Sequence, residues 1–407
     1  MASGRVSKVK GKVVDIPTPP TIGTATAGPE SISIEFTASS KGGPSRSYIA
    51  KSNPGNITVT GLTSPINVVG LTGETSYTIS VAGVNETGTS EYSSPSASTV
   101  TLAAPLSRAV FMGGHTSSGG STDNVNTIDY LDIVTTGNAT DFGDLLSARP
   151  AEGFSSMTRG VVAGNTTGLA SQTMEYITLA STGNSTSFGN LLASTAYANA
   201  LSNHTYGYIY GGGKPNLPEV TDIEYVTIAT TGNASDFGDL FSGIFGANAG
   251  GGSDTRAISA GGARNSGNNY SNVIQYWTFA TSGNASDFGD TAVEIYGMAG
   301  AGSATRFIMG GGFSPNGVQR SSCEYITIAS LGNGTNFGDQ TVGRTAPAAT
   351  SNKTRMVMAG GSSSADWTPY NIVDYVAIAT TGNFTDFGDL TQARGFLAGV
   401  CGGHGGI

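Results

Sequence analysis

A single unit written six times between residues 107 and 407 constrains this chain more than any other feature. Each copy carries [Ile/Val/Met/Cys]-[Asp/Glu/Gln]-Tyr, then an apolar stretch, then Gly-Asn-x-[Ser/Thr]-x-Phe-Gly. The tyrosines are Tyr130, Tyr176, Tyr225, Tyr276, Tyr325 and Tyr375, at successive spacings of 46, 49, 51, 49 and 50 residues. A period near 50 residues with several strands in each copy marks radial repetition of small sheets around an axis.

Every copy reads as four short strands. Around Tyr276 these are residues 245–253, 255–260 ending in Gly261-Gly262, 274–279, and an outer strand from Phe288-Gly289. The first strand of each copy must crowd an axis, which demands small residues. The segments GFSSM, YANALSN, FGANAGGGS, YGMAGAGS, PAATS and FLAGVCGG supply them. Glycine pairs at 113–114, 212–213, 261–262, 311–312 and 360–361 allow turns at positive φ, with Gly164-Asn165 in the remaining copy. The region opens on a second-type strand (107–114) and closes on a first-type strand (395–401), so the last strand can complete the first sheet and leave no open edge. The expected fold is therefore all-β, a six-bladed β-propeller closed by the C-terminal strand.

Composition agrees with short strands and tight turns: charged residues are 12% and glycines number 61 in 407 residues. The net charge of −9 argues against broad nucleic-acid binding. Cys323 and Cys401 lie in different copies and read as buried free thiols. The opening segment MASGRVSKVKGKVVDIP lacks the apolar core of a signal peptide, and no apolar run of 18 residues is present. Residues 1–16 read as a basic arm, with Arg5, Lys8, Lys10 and Lys12 as candidate anchors on an acidic neighbour.

Residues 17–103 read as a separate β-sandwich, with alternating strands at 31–36, 57–60 and 77–81 separated by Gly/Pro/Asn turns. This segment resembles a fibronectin type III domain through Pro20, through Leu71 and Tyr77 in GLTGETSY, and through Ala82, Asn85, Gly88 and Ser90. Phe36 stands where that family has tryptophan. The resemblance implies a spacer or binding module, and a Tyr77 phenol bonded back onto the chain. The Gly-Gly strands and following tyrosines of the repeats resemble the kelch pattern, with Phe-Gly-Asp in place of its tryptophan.

Chemistry-bearing candidates are few. The six Gly-Asn-x-[Ser/Thr] elements (Asn138, Asn184, Asn233, Asn284, Asn333, Asn383) match glycosylation acceptors but read as tight turns, Gly and Asn at positive φ with the hydroxyl capping the backbone. Carboxylate pairs such as Asp141/Asp144, Asp236/Asp239, Asp287/Asp290 and Asp386/Asp389 supply too few oxygens for calcium on their own. His115 and His404 both follow Gly-Gly and could meet at the closure, and His204 stands apart. No nucleophile elbow, phosphate loop or Cys–His couple appears, so no catalytic, cofactor or metal residue is expected. Variable loops between Gly-Gly and the tyrosine strand place Tyr270, Phe313, Trp367 and Tyr370, with Asn268 and Asn316, on one face, where aromatics among polar residues suit glycan stacking.

A basic arm, a fibronectin-like module and a Gly/Ser/Thr-rich repeat region together resemble bacteriophage virion proteins of the tail fibre or baseplate. The resemblance implies a non-enzymatic structural protein in the virion, assembled in the host cytoplasm and oligomeric. Its arm and fibronectin-like domain would meet other virion proteins and its repeats would meet host-surface glycans, with no nucleic acid and no membrane insertion. A bacterial surface adhesin, a kelch-type interaction scaffold and a polysaccharide-degrading propeller enzyme are the alternatives.

Overall fold

The computed structural model describes residues 14–28, 30–73, 75–101, 107–116, 123–165, 171–214, 220–246, 248–264 and 269–403. The arm residues Arg5, Lys8, Lys10 and Lys12, the loop residue Asn268 and His404 lie outside them. Among the described residues every regular element is a β-strand. The chain divides into two compact units, residues 1–105 and 106–407.

The first unit pairs Thr21–Gly28, Ser31–Thr37 and Ile66–Val69 in one sheet, and Thr58–Gly61, Ser47–Asn53, Ser76–Val84 and Thr99–Val100 in another. Period-two alternation sends Ile32, Ile34, Phe36, Tyr48, Ala50, Ile66, Val68, Ile79 and Val81 into one shared core. The Tyr77 ring is buried and its phenol oxygen accepts a hydrogen bond from the Thr72 amide at 3.0 Å. The strands at 21–28, 47–53 and 66–69 escaped the sequence reading. Small and polar residues dilute the alternation in the first two, TIGTATAG and SYIAKSN, and the third is only four residues long.

The second unit holds a four-strand pattern repeated six times. Repeat 2 runs Glu152–Ser155, Arg159–Ala163, Ser171–Thr178, Thr186–Thr195. Repeat 3 runs Asn199–Ser202, Tyr206–Tyr210, Val220–Thr227, Ser235–Ile244. Repeats 4 and 5 share one long strand, Ser286–Gly302, whose first half is the outer strand of one and whose second half is the inner strand of the next. Repeat 6 runs Ala348–Ser351, Arg355–Ala359, Ile372–Ala377, Thr385–Asp389. Repeat 1 draws its inner strand, Ala398–Cys401, from the far end of the chain, paired antiparallel to Arg108–Met112. The first strand of repeat 4 is Ala249–Gly252, shorter than the expected 245–253, because Phe245 and Gly246 serve as the connection to a small side pairing with Ala263.

The inner strands neighbour one another in a closed cycle from repeat 2 through repeat 6 to Ala398–Cys401 and back to Glu152–Ser155. Side chains stitch this cycle. The Ser155 amide donates to Ser202 Oγ at 3.0 Å, Ser155 Oγ donates to the Cys401 carbonyl at 3.1 Å, and Ser351 Oγ donates to the Gly302 carbonyl at 2.7 Å. The approach leaves no room for larger residues: a Cβ on Gly153 would stand 2.9 Å from Val400 Cγ1, and one on Gly300 would stand 2.4 Å from the Phe307 ring. Six apolar clusters lie between consecutive sheets, including one between repeats 6 and 1. Each takes in the phenylalanine of one Phe-Gly element: Phe142, Phe188, Phe237, Phe288, Phe337 or Phe387. Cys323 and Cys401 form no disulfide among the described residues and are fully buried, and desolvation pushes both thiols up to about 12.

The repeat motif is a set of latches between sheets. In all six repeats the asparagine of Gly-Asn accepts a backbone N–H from the neighbouring repeat. Asn184 takes Asp144, Asn233 takes Asn190, Asn284 takes Asp239, Asn333 takes Asp290, Asn383 takes Asp339 and Asn138 takes Asp389, at 3.0–3.1 Å. These asparagines are not at positive φ, and their side chains, not the Ser/Thr hydroxyls, do the capping across the seam. That corrects the expected tight-turn role. The partner glycine must be bare: a Cβ on Gly143 would meet the Gly183 carbonyl at 2.5 Å. Asn233→Ala should lower stability by about 0.5–1 kcal/mol, the range for one solvent-accessible hydrogen bond. Asn233→Asp, which keeps the acceptor, should cost less. Urea unfolding followed by tryptophan fluorescence reads this repeat unit, since both tryptophans, Trp277 and Trp367, lie in it. Equal losses in the two variants would remove the latch from consideration.

The acid or amide before each tyrosine forms a second latch. Glu175, Glu224, Gln275, Glu324, Asp374 and Asp129 accept the amides of Leu146, Leu192, Ser242, Ala292, Thr341 and Thr391 of the preceding repeat. A third latch was not foreseen. Arg108, Arg159, Arg256, Arg306 and Arg355 lie over the tyrosine rings of their own repeats at 4.2–4.6 Å. Each also donates to a carbonyl of another repeat: Leu179, Ile228, Ile328, Ile378 and Ile133. Tyr206 takes that place in repeat 3, edge-on to Tyr225.

Candidate aromatic face and axial cavity

The turn that follows the second strand of each repeat uses left-handed backbone. Gly113 and Gly114, Gly261 and Gly262, Gly311 and Gly312, and Gly360 and Gly361 have φ between 64° and 108°. In repeat 3 the pair is Gly211-Gly212 rather than 212–213, because the strand Tyr206–Tyr210 ends one residue earlier. In repeat 2 only Gly164 of Gly164-Asn165 is at positive φ.

Beyond these turns the loops bring aromatic rings together. Tyr270 stacks on Tyr296 at 5.6 Å and meets Phe313 edge-on at 5.6 Å. Phe313 lies 6.1 Å from Trp367, Trp367 stacks on Phe396 at 5.8 Å, and Phe396 stacks on His115 at 5.0 Å. The resulting arc spans repeats 4, 5, 6 and 1, and its five benzenoid rings are half-buried. A second pair, Tyr197 and Phe245, lies 4.6 Å apart. Gln319 fixes the arc by donating to the Ser362 carbonyl at 3.1 Å and accepting the Ser364 amide at 2.9 Å, which ties the Phe313 loop to the Trp367 loop. Asp366 accepts the Thr368 amide and pairs with the Ser363 hydroxyl, closing a tight loop around Trp367. Those bonds hold the Asp366 carboxyl below the usual carboxylate range.

Trp367, Phe396 and Tyr197 have φ of 58°, 53° and 56°. Left-handed backbone costs a residue with a Cβ about 1–2 kcal/mol, and such strain gathers where a binding surface is shaped in advance. The equivalent positions in two other repeats are Gly297 and Ala346, at φ of 80° and 50°, so the left-handed turn recurs and small residues satisfy it without an aromatic ring.

Three expected binding residues, Tyr270, Phe313 and Trp367, therefore meet in one arc. Tyr370 does not join it: its amide donates to the Gly361 carbonyl and its carbonyl accepts from the Arg394 amide, so it serves as loop backbone. Asn316 is turned inward on its own loop, where its oxygen receives the Ser314 hydroxyl and the Val318 amide. Tyr296, Phe396, Tyr197 and Phe245 were missed. They stand in connections read only as small-residue scaffold, and their signal was the departure from that smallness. His115 joins the closure through its backbone, bonded to Gly395 in both directions at 3.0 Å. The carboxylate pairs of the Asp-Phe-Gly-Asp elements sit on the outer strands, and among the described residues no three acidic, histidine or cysteine side chains gather as metal ligands.

The closed cycle of inner strands surrounds an axial cavity of about 90 Å³. A smaller recess at one end is walled by Tyr197 and Phe396 and shares Glu152, Met298, Pro347 and Leu397 with the cavity. Glu152 is its one carboxylate, and burial without a compensating partner pushes it up to about 8. An unfolded glutamate titrates near 4.3, so the folded chain keeps a proton there that the unfolded chain has shed. Stability from this group is thus largest below about pH 4.3 and is lost progressively as pH rises through about 8. Glu152→Gln should raise the melting temperature at pH 9 and leave it nearly unchanged at pH 4. A gain independent of pH would overturn that assignment.

A fibronectin type III domain family model matches residues 17–99. No curated protein matches the chain.

Proposed function

We propose that residues 107–407 are a six-bladed, kelch-like β-propeller closed by its C-terminal strand, and that this propeller is a glycan-binding module. The closed cycle of inner strands and the six inter-sheet clusters support the architecture. One observation carries the binding role: a continuous arc of half-buried rings, two of them on strained left-handed backbone, among polar loop residues on one face. Flat rings with open faces suit the apolar faces of sugars. We further propose that the chain is a non-enzymatic, tail-associated virion structural protein, with the fibronectin type III domain and basic arm addressing other virion proteins and the propeller addressing host-surface glycans. The order of the modules and the repeat text support this reading.

The test is a glycan array probed with the wild-type chain and with Trp367→Ala. Trp367→Ala should weaken binding to every retained glycan about tenfold, near 1.4 kcal/mol. A variant that binds as the wild type does would end the proposal for this face. Antibody against residues 107–407 should decorate the tail end of intact particles, and unlabelled particles would remove the virion assignment.

A further inference from the structure

The glycan reading leaves the axial cavity unused, yet its lining departs from sixfold symmetry in a way that scaffold does not require. One register position on the inner strands is occupied by Glu152, Asn199, Ala249, Ala299, Ala348 and Ala398 in turn. Four alanines show what close packing around the axis needs. The two polar residues sit side by side on repeats 2 and 3, and Ala299 and Ala348 lie half-way around the cycle from them. Asn199 is 2% exposed and lines the cavity, and its Nδ2 has no hydrogen-bond partner among the described residues. Its Oδ1 is already used by the Asn248 amide at 3.3 Å, so the free capacity is a donor. Asn248 cannot answer it: its Nδ2 donates to Ser259 Oγ, and its Oδ1 accepts the Tyr210 hydroxyl. A buried donor left unpaired is destabilising, a loss that a ligand acceptor would recover. Beside it Glu152 lines the same cavity and supplies its one carboxyl group. Across the cavity Met298, Pro347 and Leu397 offer apolar surface down to the recess, and Tyr197 and Phe396 flank its opening.

We infer that the axial cavity receives the acetamido group of an N-acetylated amino sugar. This inference rests on the glycan-binding reading and names the sugar class. The acetamido carbonyl would accept from Asn199 Nδ2, its N–H would donate to the Glu152 carboxyl, and its methyl would face Met298, Pro347 and Leu397. The pyranose ring would lie between Tyr197 and Phe396. Phe396 belongs both to this opening and to the outer arc, so one chain of sugars can run from Trp367 to the axis.

The test compares N-acetylglucosamine, glucose and N-methylacetamide on the full-length chain, by saturation-transfer and protein-observed NMR. N-acetylglucosamine should bind at least about tenfold more tightly than glucose, with the strongest saturation on its methyl. Asn199→Ala and Glu152→Leu should each reduce that preference to about twofold while melting as cooperatively as the wild type. Asn199→Asp, which replaces the donor by an acceptor, should abolish it. N-methylacetamide alone should shift the Asn199 side-chain amide signal. Equal binding of the two sugars, or a preference that survives Asn199→Ala, overturns the inference and leaves the outer face standing. A shifted Asn199 signal with no sugar binding anywhere keeps the cavity assignment and overturns the glycan face. An unmoved Asn199 signal overturns the cavity assignment.

Discussion

Removing residues 396–407 is expected to abolish the cooperative unfolding transition of the repeat unit. The strand Ala398–Cys401 supplies the whole inner strand of repeat 1, and Ala398, Val400 and Cys401 are at most 2% exposed. Those residues feed two apolar clusters, one against repeat 6 and one against repeat 2. Burial of such side chains contributes about 1.5–3 kcal/mol each for the larger ones, before the four-residue ladder is counted. Domain stabilities of about 5–15 kcal/mol cannot absorb losses at two seams together. The truncation also bares Arg108–Met112 as an apolar strand edge, which templates aggregation. Tryptophan fluorescence in urea should show a broad, shallow change, and light scattering should rise. A separate peptide of residues 395–403 should restore the sharp transition. A truncated chain that unfolds like the wild type would mean that the ring does not depend on its closure.

Arg394→Met should cost about 3–5 kcal/mol, the range for removing one partner of a buried ion pair. The Arg394 guanidinium is fully buried, donating to Asp129 at 2.9 Å and to the carbonyls of Thr127 and Phe111 at 2.9 and 3.2 Å. Asp129 also receives the Thr391 amide and hydroxyl, so the last repeat is locked to the first through one carboxylate. Without the guanidinium, Asp129 is a buried charge with fewer donors. The double variant Arg394→Met/Asp129→Leu should recover part of the loss, because no unpaired charge then remains. Recovery stays incomplete since Thr391 loses its acceptor. Arg344 and Asp374 repeat the same chemistry between repeats 5 and 6 at 2.8 Å, and Arg344→Met should behave alike. A change within about 1 kcal/mol in Arg394→Met would show that the pair contributes specificity and not stability.

The regular spacing of tyrosines and Phe-Gly elements already implied repeated small sheets, but the role of each motif between copies needed neighbours. Asn138 reads from its own sequence as a turn residue. Its partner, the Asp389 amide, lies 251 positions away, and no local rule links them. The same holds for Arg355, whose partner carbonyl is Ile133. Loop aromatics Phe313 and Trp367 stood out because loops are otherwise polar, whereas Tyr197 and Phe396 were concealed in connections whose small residues pointed to packing. Asn199 looked like one more polar residue in a Gly/Ala/Ser strand. Only burial of its amide without a partner separates it from the serines that stitch the inner cycle.

Sequence alone determined that the chain is all-β and which residues must be small, because those follow from periodicity and local backbone preference, while the fibronectin type III domain was legible through its resemblance to that family. Tertiary structure decided which rings share a face, which asparagine keeps an unpaired donor, and which arginine closes the first repeat onto the last. Those outcomes depend on distances between residues far apart in the chain, and such distances are set by how sheets pack, not by which residues are adjacent.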